Sequence, residues 1–218
     1  MTPRRRLVER VRRNGVTDER VLAAIARVPR ELFVPADLRE RADEDEALPI
    51  GHGATISQPT MVARLCEELR LTGRERVLDV GTGSGYQAAV LAELAAEVVG
   101  IERIPELAEG ARAALASAGY DRVEVRTGDG TLGLPERAPF DAIAVAAAAP
   151  APPAALVAQL AFGGRLVVPV GGRREQWLDV VVRRETGTDV TRSVPCRFVP
   201  LVGEQGFAEE RSGETSRS

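Results

Sequence analysis

Lysine is absent from the 218 residues, so all 29 basic residues are arginine. That excludes a P-loop lysine, a Schiff-base lysine and a kinase-type phosphate lysine. Histidine occurs once, at His52, which leaves little room for a histidine relay or a histidine metal cluster. The two cysteines, Cys66 and Cys196, are distant in sequence and lack metal-ligand spacing. They read as reduced core thiols in a cytosolic protein, and no metal site is expected. No apolar run approaches membrane-spanning length, and the arginine-rich start has no signal-peptide core behind it. A cytoplasmic chain with no membrane partner is therefore expected. The formal charge of −3 offers no overall field for nucleic acid. What is present is an apolar content of 44%, enough for one domain with a full core.

The chain is organised around VLDVGTGSGYQAA, residues 77–89. Val77, Leu78 and Val80 fit a buried parallel strand, and the residues from Gln87 to Ala95 fit a helix with a stripe at Ala88, Leu91 and Ala95. Between them Gly81, Gly83 and Gly85 alternate, which permits tight turns and close approach of a ligand to the backbone. Strand, glycine loop and helix form the first half of a nucleotide-binding βαβ unit. A dinucleotide loop spaces its glycines G-x-G-x-x-G. Here Tyr86 stands where its third glycine belongs, and Asp79 precedes the first glycine by two positions. This suits a ligand without phosphate whose cationic groups welcome a carboxylate, as the sulfonium and ammonium of S-adenosylmethionine do. The next strand, AEVVGIER (96–103), ends in Glu102, 21 residues after Gly81, where a carboxylate can accept both ribose hydroxyls.

Two amphipathic helices are expected before this unit, with Leu7, Val8 and Val11, then Val21, Leu22, Ile25 and Val28, on their buried faces. Asp18 is the candidate cap of the second. VPRELFVP (28–35) should bury Leu32 and Phe33, and DLRERADEDE (37–46) reads as a solvated connector. Residues 49–58 read as a loop, and Pro59 opens a helix that buries Met61, Val62, Leu65, Cys66 and Leu69. Ser57 and Gln58 then lie at a helix N-terminus, where Ser57 either caps the helix or faces an anionic group. Further strands are expected over 122–130, 139–150 and 163–172, with two more around 177–183 and 190–199. Helices are expected over 104–119 and 153–161. Asp129, in Gly128-Asp129-Gly130, lies at a strand carboxyl end, where it can accept an adenine amine or simply make a turn. The class is a doubly wound α/β fold, Rossmann-like, with a seven-stranded mostly parallel sheet and an N-terminal helical extension. One domain is expected over 1–207, divided into N-terminal helices with a substrate-side loop (1–58) and a core (59–207). Residues 208–218 read as a disordered tail.

TISQP (55–59), VLDVGTGSGYQAAVLA (77–92), IERIPELAE (101–109), GDG (128–130), APFDAI (138–143), GGRLVVPVG (163–171) and RFVPL (197–201) resemble, in order, blocks of the protein-L-isoaspartate O-methyltransferase family. VPRELFVP is similar to its N-terminal region, and the resemblance covers about residues 7 to 203. It implies transfer of a methyl group from S-adenosylmethionine to the free α-carboxyl of L-isoaspartyl residues in damaged proteins and peptides, leaving S-adenosylhomocysteine. The ester then cyclises to a succinimide, which returns part of the material to L-aspartyl. The cofactor residues it implies are Asp79, Gly81, Thr82, Gly83, Ser84, Gly85, Glu102, Arg103, Asp129 and Gly130. On the substrate side it implies Thr55, Ile56, Ser57 and Gln58, with Ser57 catalytic. A monomer and an unusual order of the last two strands are also implied. Ala54, Thr60 and Ala146 depart from the usual Gln, aromatic and Thr of the family, which bears on substrate range.

A carboxylate acceptor is already ionised at pH 7, so no general base is required, in keeping with the scarcity of histidine and lysine. A second enzymatic reading is methylation of an ordinary Asp in a dedicated peptide to form an aspartimide. A third, of another class, is a silent binding module, against which Asp79, Glu102, Asp129 and Ser57 all speak. Asn14, the only asparagine, precedes Gly15. The pair either ends the first helix in a left-handed cap, the preferred reading, or deamidates and becomes a substrate of the chain itself.

Overall fold

The computed structural model describes residues 2–172 and 174–209. The chain opens with α1 (Pro3–Arg13) and α2 (Glu19–Arg27), whose buried faces carry Leu7 and Val11, then Val21, Leu22 and Ile25. Asp18 caps α2 by accepting the N–H groups of Arg20 and Val21. Gly15 adopts a left-handed φ of +92° after α1, and its N–H donates to the Arg12 carbonyl at 2.9 Å. The side-chain amide of Asn14 donates to Asp45 Oδ2 at 3.0 Å and to Thr60 Oγ1 at 3.1 Å. Cyclisation needs the Gly15 nitrogen to reach the Asn14 side chain, and both groups are held elsewhere.

Residues 49–58, read from sequence as a loop, instead contain a small antiparallel hairpin of β1 (Leu48–Gly51) and β2 (Ala54–Ile56). It turns at His52-Gly53, both at positive φ. Strands of three or four residues containing Pro49 and Gly51 leave little sequence signal, because both residue types are poor strand formers. The hairpin leads into α3 (Pro59–Leu69), which buries Val62, Leu65, Cys66 and Leu69 while Met61 is only half-buried.

The core alternates β3 (Arg76–Val80), α4 (Tyr86–Ala92), β4 (Glu97–Glu102), α5 (Pro105–Ser117), β5 (Glu124–Thr127), β6 (Phe140–Val145) and α6 (Ala154–Ala158). It closes with β7 (Leu160–Gly171), β8 (Gln176–Arg183) and β9 (Thr188–Cys196). The sheet order is β5-β4-β3-β6-β7-β8-β9; the first five strands run parallel and β8 is antiparallel to both neighbours. This is the expected doubly wound α/β class with seven mostly parallel strands. The last three strands follow chain order as a meander. Several bounds differ from expectation: α4 stops at Ala92, β6 at Val145, and β7 begins at Leu160, so the helix before it has five residues.

Alternation along the strands splits the core into two. Val77, Val98, Ala142 and Val167 pack with α1 to α5, whereas Leu78, Val99, Ile143 and Leu166 face α6. All seven residues of α4 are buried, because it lies between the sheet and the N-terminal helices. No described helix is long and apolar enough to cross a membrane. Of the expected tail, residues 210–218 lie outside the described residues, while Glu209 accepts from Arg103 at 3.1 Å.

Candidate active site

The winding of the sheet reverses between β3 and β6, and a crevice opens beyond the carboxyl ends of these strands. Its floor is the glycine loop. Gly81 and Gly83 line it at φ of +78° and +54°, values that a Cβ makes costly. Thr82 and Ser84 also line it; the Thr82 hydroxyl donates to the Asp79 carbonyl at 3.2 Å and pins the turn. Gly85 faces away. A Cβ there would lie 3.2 Å from Leu115 Cγ and 3.3 Å from the Ala111 carbonyl oxygen, so this glycine serves the packing of α4 against α5.

Glu102, at the end of β4, is buried and lines the crevice. Its Oε2 accepts the Gly83 N–H at 2.9 Å and its Oε1 accepts the Ile104 N–H at 3.0 Å. Each oxygen retains acceptor capacity. Arg103 and Gly130 line the crevice as well, and a Cβ on Gly130 would come within 2.7 Å of Val80 Cγ1. Asp129 lies just outside the lining. Its Oδ1 accepts from the Thr131 N–H and hydroxyl, and its Oδ2 from the Glu204 N–H. Burial opposes its charge, but these donors outweigh burial and hold the carboxyl below its ordinary range.

Asp79 is fully buried beneath the loop and is not part of the crevice wall. Its Oδ1 accepts from Gln87 Nε2 at 2.6 Å, while Oδ2 finds no partner among the described residues. Burial pushes its pKa up to about 6, against the lowering effect of the Gln87 hydrogen bond.

The facing wall is the hairpin with the start of α3. Thr55, Ile56 and Ser57 line the crevice together with Ala54 and the exposed His52. Ser57 does not cap α3. The cap position belongs to Gln58, which makes no capping bond, and Asp45 Oδ1 accepts the Thr60 N–H at 2.8 Å instead. The Ser57 hydroxyl has no hydrogen-bond partner among the described residues. Gln58 turns out of the crevice, donating to Asp45 Oδ2 at 3.0 Å, and lines an adjoining groove with Met61 and Phe198. Ser57, Thr55 and Ala146 border both spaces.

Sequence reasoning left several of these residues unassigned. Tyr86, Gln87, Val199, Pro200 and Leu201 line the crevice. RFVPL reaches it because Ala148 donates to the Val199 carbonyl and Leu201 donates back to the Ala148 carbonyl, at 2.8 and 2.7 Å. Asp45, read as part of a solvated connector, accepts from Asn14, Gln58 and Thr60. Nothing in a run of alternating charges sets that carboxylate apart.

The donor set tells what fits. The crevice offers the Glu102 carboxylate, with a buried carboxyl beneath a loop whose Gly81, Thr82, Gly83 and Gly85 N–H groups are taken by the Ile101 carbonyl, Glu102 and the Thr82 carbonyl. Arg103, its one arginine among the described residues, is paired with Glu209. That is a cradle for a nucleoside with a cationic tail and lacks the unpaired basic groups of a phosphate site. Among the described residues no cluster of His, Cys, Asp and Glu could hold a metal.

Residues 2–206 match the family model described as protein-L-isoaspartate(D-aspartate) O-methyltransferase. The chain is 58% identical over 195 residues to protein-L-isoaspartate O-methyltransferase 2 of Marinobacter nauticus, covering 88% of this chain and 89% of that protein. It is 52% identical over 210 residues to the protein-L-isoaspartate O-methyltransferase of Methanoculleus marisnigri, covering 96% of each. Among solved structures, a Plasmodium falciparum protein described as a protein-L-isoaspartate O-methyltransferase, in complex with S-adenosyl-L-homocysteine, superposes with a TM-score of 0.79 at 27% identity. That match covers 93% of this chain and 99% of the other. Sequence agreement over nearly the full length, on a fold whose crevice suits a nucleoside sulfonium, places the chain in the protein-L-isoaspartate(D-aspartate) O-methyltransferase family.

Proposed function

We propose that this crevice is where the family's reaction takes place, with the glycine loop and Glu102 on the donor side and Thr55, Ile56 and Ser57 on the acceptor side. The chain is an S-adenosylmethionine-dependent methyltransferase acting on the free α-carboxyl of L-isoaspartyl residues in damaged proteins and peptides. The observation that carries the site assignment is that Glu102 and Ser57, supplied by β4 and by the hairpin, line one crevice.

Bound S-adenosylmethionine supplies an electrophilic methyl group on a positively charged sulfur. Glu102 holds the ribose hydroxyls with the acceptor capacity left over from Gly83 and Ile104. Asp79 contributes negative potential from beneath the loop, and Asp129 orders the segment that brings Gly130 against the ligand. The acceptor carboxylate arrives ionised, so the chain has no proton to remove. The Ser57 hydroxyl, free of other partners, donates to one carboxylate oxygen and orients it. The rest is alignment and exclusion of water by the apolar wall of Ile56, Ala146 and Leu201.

The same reading makes residues 1–207 one methyltransferase domain, with residues 1–58 building the acceptor side. It also makes the enzyme a cytoplasmic monomer that does not engage nucleic acid. The net charge of −3 speaks against a nucleic-acid partner, and the free Cys66 and Cys196 suit a reducing compartment.

The test is methyl transfer to an L-isoaspartyl peptide and to its Asp isomer by wild type and Ser57→Ala. Only the isoaspartyl peptide should be methylated. Loss of one hydrogen bond to a charged oxygen, about 1.5–3 kcal/mol, lowers the rate roughly tenfold to 150-fold. Cofactor affinity should not change. Wild-type turnover in a folded Ser57→Ala protein would remove Ser57 from the reaction.

A further inference from the structure

Arg30 is among the largest fully buried side chains, with 1% of its surface exposed, yet among the described residues no carboxylate accepts a hydrogen bond from it. Its partners are four backbone carbonyls. Nη1 donates to Ala42 at 2.7 Å and to Glu44 at 3.2 Å; Nη2 donates to Glu46 at 2.8 Å and to Ser57 at 3.1 Å. The guanidinium also lies over the ring of Tyr86, 5.6 Å from its centroid, and Tyr86 belongs to the crevice wall. A buried cation is costly and an apolar side chain of similar volume generally stabilises a core as well, so its placement calls for a reason other than packing.

The geometry supplies one. Segments 42–46 and 55–58 share no strand pairing, and Arg30 ties them together through their carbonyls. From the first segment Asp45 reaches across to accept from Gln58 Nε2 and from the Thr60 N–H and hydroxyl. Ser57 is thus held on one side through its own carbonyl and on the other through the residues that follow it. Its hydroxyl is left free to meet a ligand.

We propose that Arg30 is a positioning residue for methyl transfer, fixing the Ser57 hydroxyl relative to the crevice by holding the Ser57 carbonyl. This rests on the role given to Ser57 above. Lysine at this position keeps the charge but has at most three donors on one nitrogen, and it cannot span two segments in a planar fork.

The experiment is a double-mutant cycle on isoaspartyl-peptide turnover with Arg30→Met, Arg30→Lys, Ser57→Ala and the combinations. Calorimetric affinity for S-adenosylhomocysteine and amide exchange of residues 42–46 and 55–60 are measured alongside. Misplacing a reacting group by about an ångström costs up to roughly a hundredfold. Arg30→Met should therefore lower kcat at least about tenfold with unchanged cofactor affinity, and Arg30→Lys should fall between it and wild type. Faster exchange at 55–60 should accompany the loss, and adding Ser57→Ala should slow the enzyme little further. If Arg30→Met does not fold, Arg30→Lys carries the same cycle.

Wild-type kcat in the folded Arg30 variants, losses that multiply independently with Ser57→Ala, or a loss confined to cofactor affinity would each overturn the proposal. A silent Ser57→Ala alone would instead remove the Ser57 reading, and the proposal with it. A slow Ser57→Ala beside a silent or independent Arg30 removes only the proposal.

Discussion

Replacing Glu102 tests the donor side of the crevice most directly. Its carboxylate has about four acceptor sites, two of which receive the Gly83 and Ile104 N–H groups. The remaining two are available to the ribose hydroxyls. Glu102→Gln replaces one oxygen with an amide that cannot accept, so one ribose bond is lost and one loop bond is disturbed. A hydrogen bond to a charged group contributes about 1.5–3 kcal/mol, which predicts roughly tenfold to 150-fold weaker binding. Glu102→Ala removes both ribose bonds and frees both loop N–H groups, giving about 3–6 kcal/mol as an upper figure, because water can replace part of what is lost. Isothermal titration with S-adenosylhomocysteine measures both variants, with circular dichroism and the thermal midpoint as checks on folding. At saturating cofactor the kcat of Glu102→Gln should remain near wild type, since the acceptor wall is untouched. A folded Glu102→Ala protein with wild-type affinity would refute the ribose assignment.

Asp79 gives a pH prediction for the cofactor-free protein. Its folded pKa of about 6 lies above its ordinary value of 3.8. The folded chain therefore binds this proton more tightly than the unfolded chain, and the stability it contributes is present below about pH 4 and lost as pH rises through 6. Two units correspond to about 3 kcal/mol as an upper figure. Thermal unfolding of wild type minus Asp79→Asn between pH 4 and 7 should show this downward slope; a flat difference would mean that Asp79 is already compensated in the folded state. At Asn14, the hydrogen bonds from its amide and from the Gly15 N–H predict slow deamidation. Treated with fresh wild-type enzyme and labelled S-adenosylmethionine, aged wild type should acquire no label on the peptide carrying residue 14, whereas aged Asp45→Ala treated the same way should; early labelling of wild type would contradict the lock.

The glycine loop, the strand before it and Glu102 were legible in sequence, because each is decided by neighbours within a few residues: a β-branched run, glycines at positive φ, a carboxylate at the end of the next strand. The stripes of α1, α2 and α3 were legible for the same reason, and so was the sheet class. Only tertiary structure decided which face each of these residues uses. Gly85 belongs to the same loop as Gly81 but faces Leu115, and Asp79, two positions before the loop, is buried beneath the crevice rather than lining it. The hairpin at 48–56 was missed because its strands are too short for a period to register. Arg30 and Asp45 were missed for a different reason. Charged residues read as solvated unless their partners are known, and theirs are carbonyls and donors 12 to 31 positions away, brought together only when the N-terminal segments fold against α3.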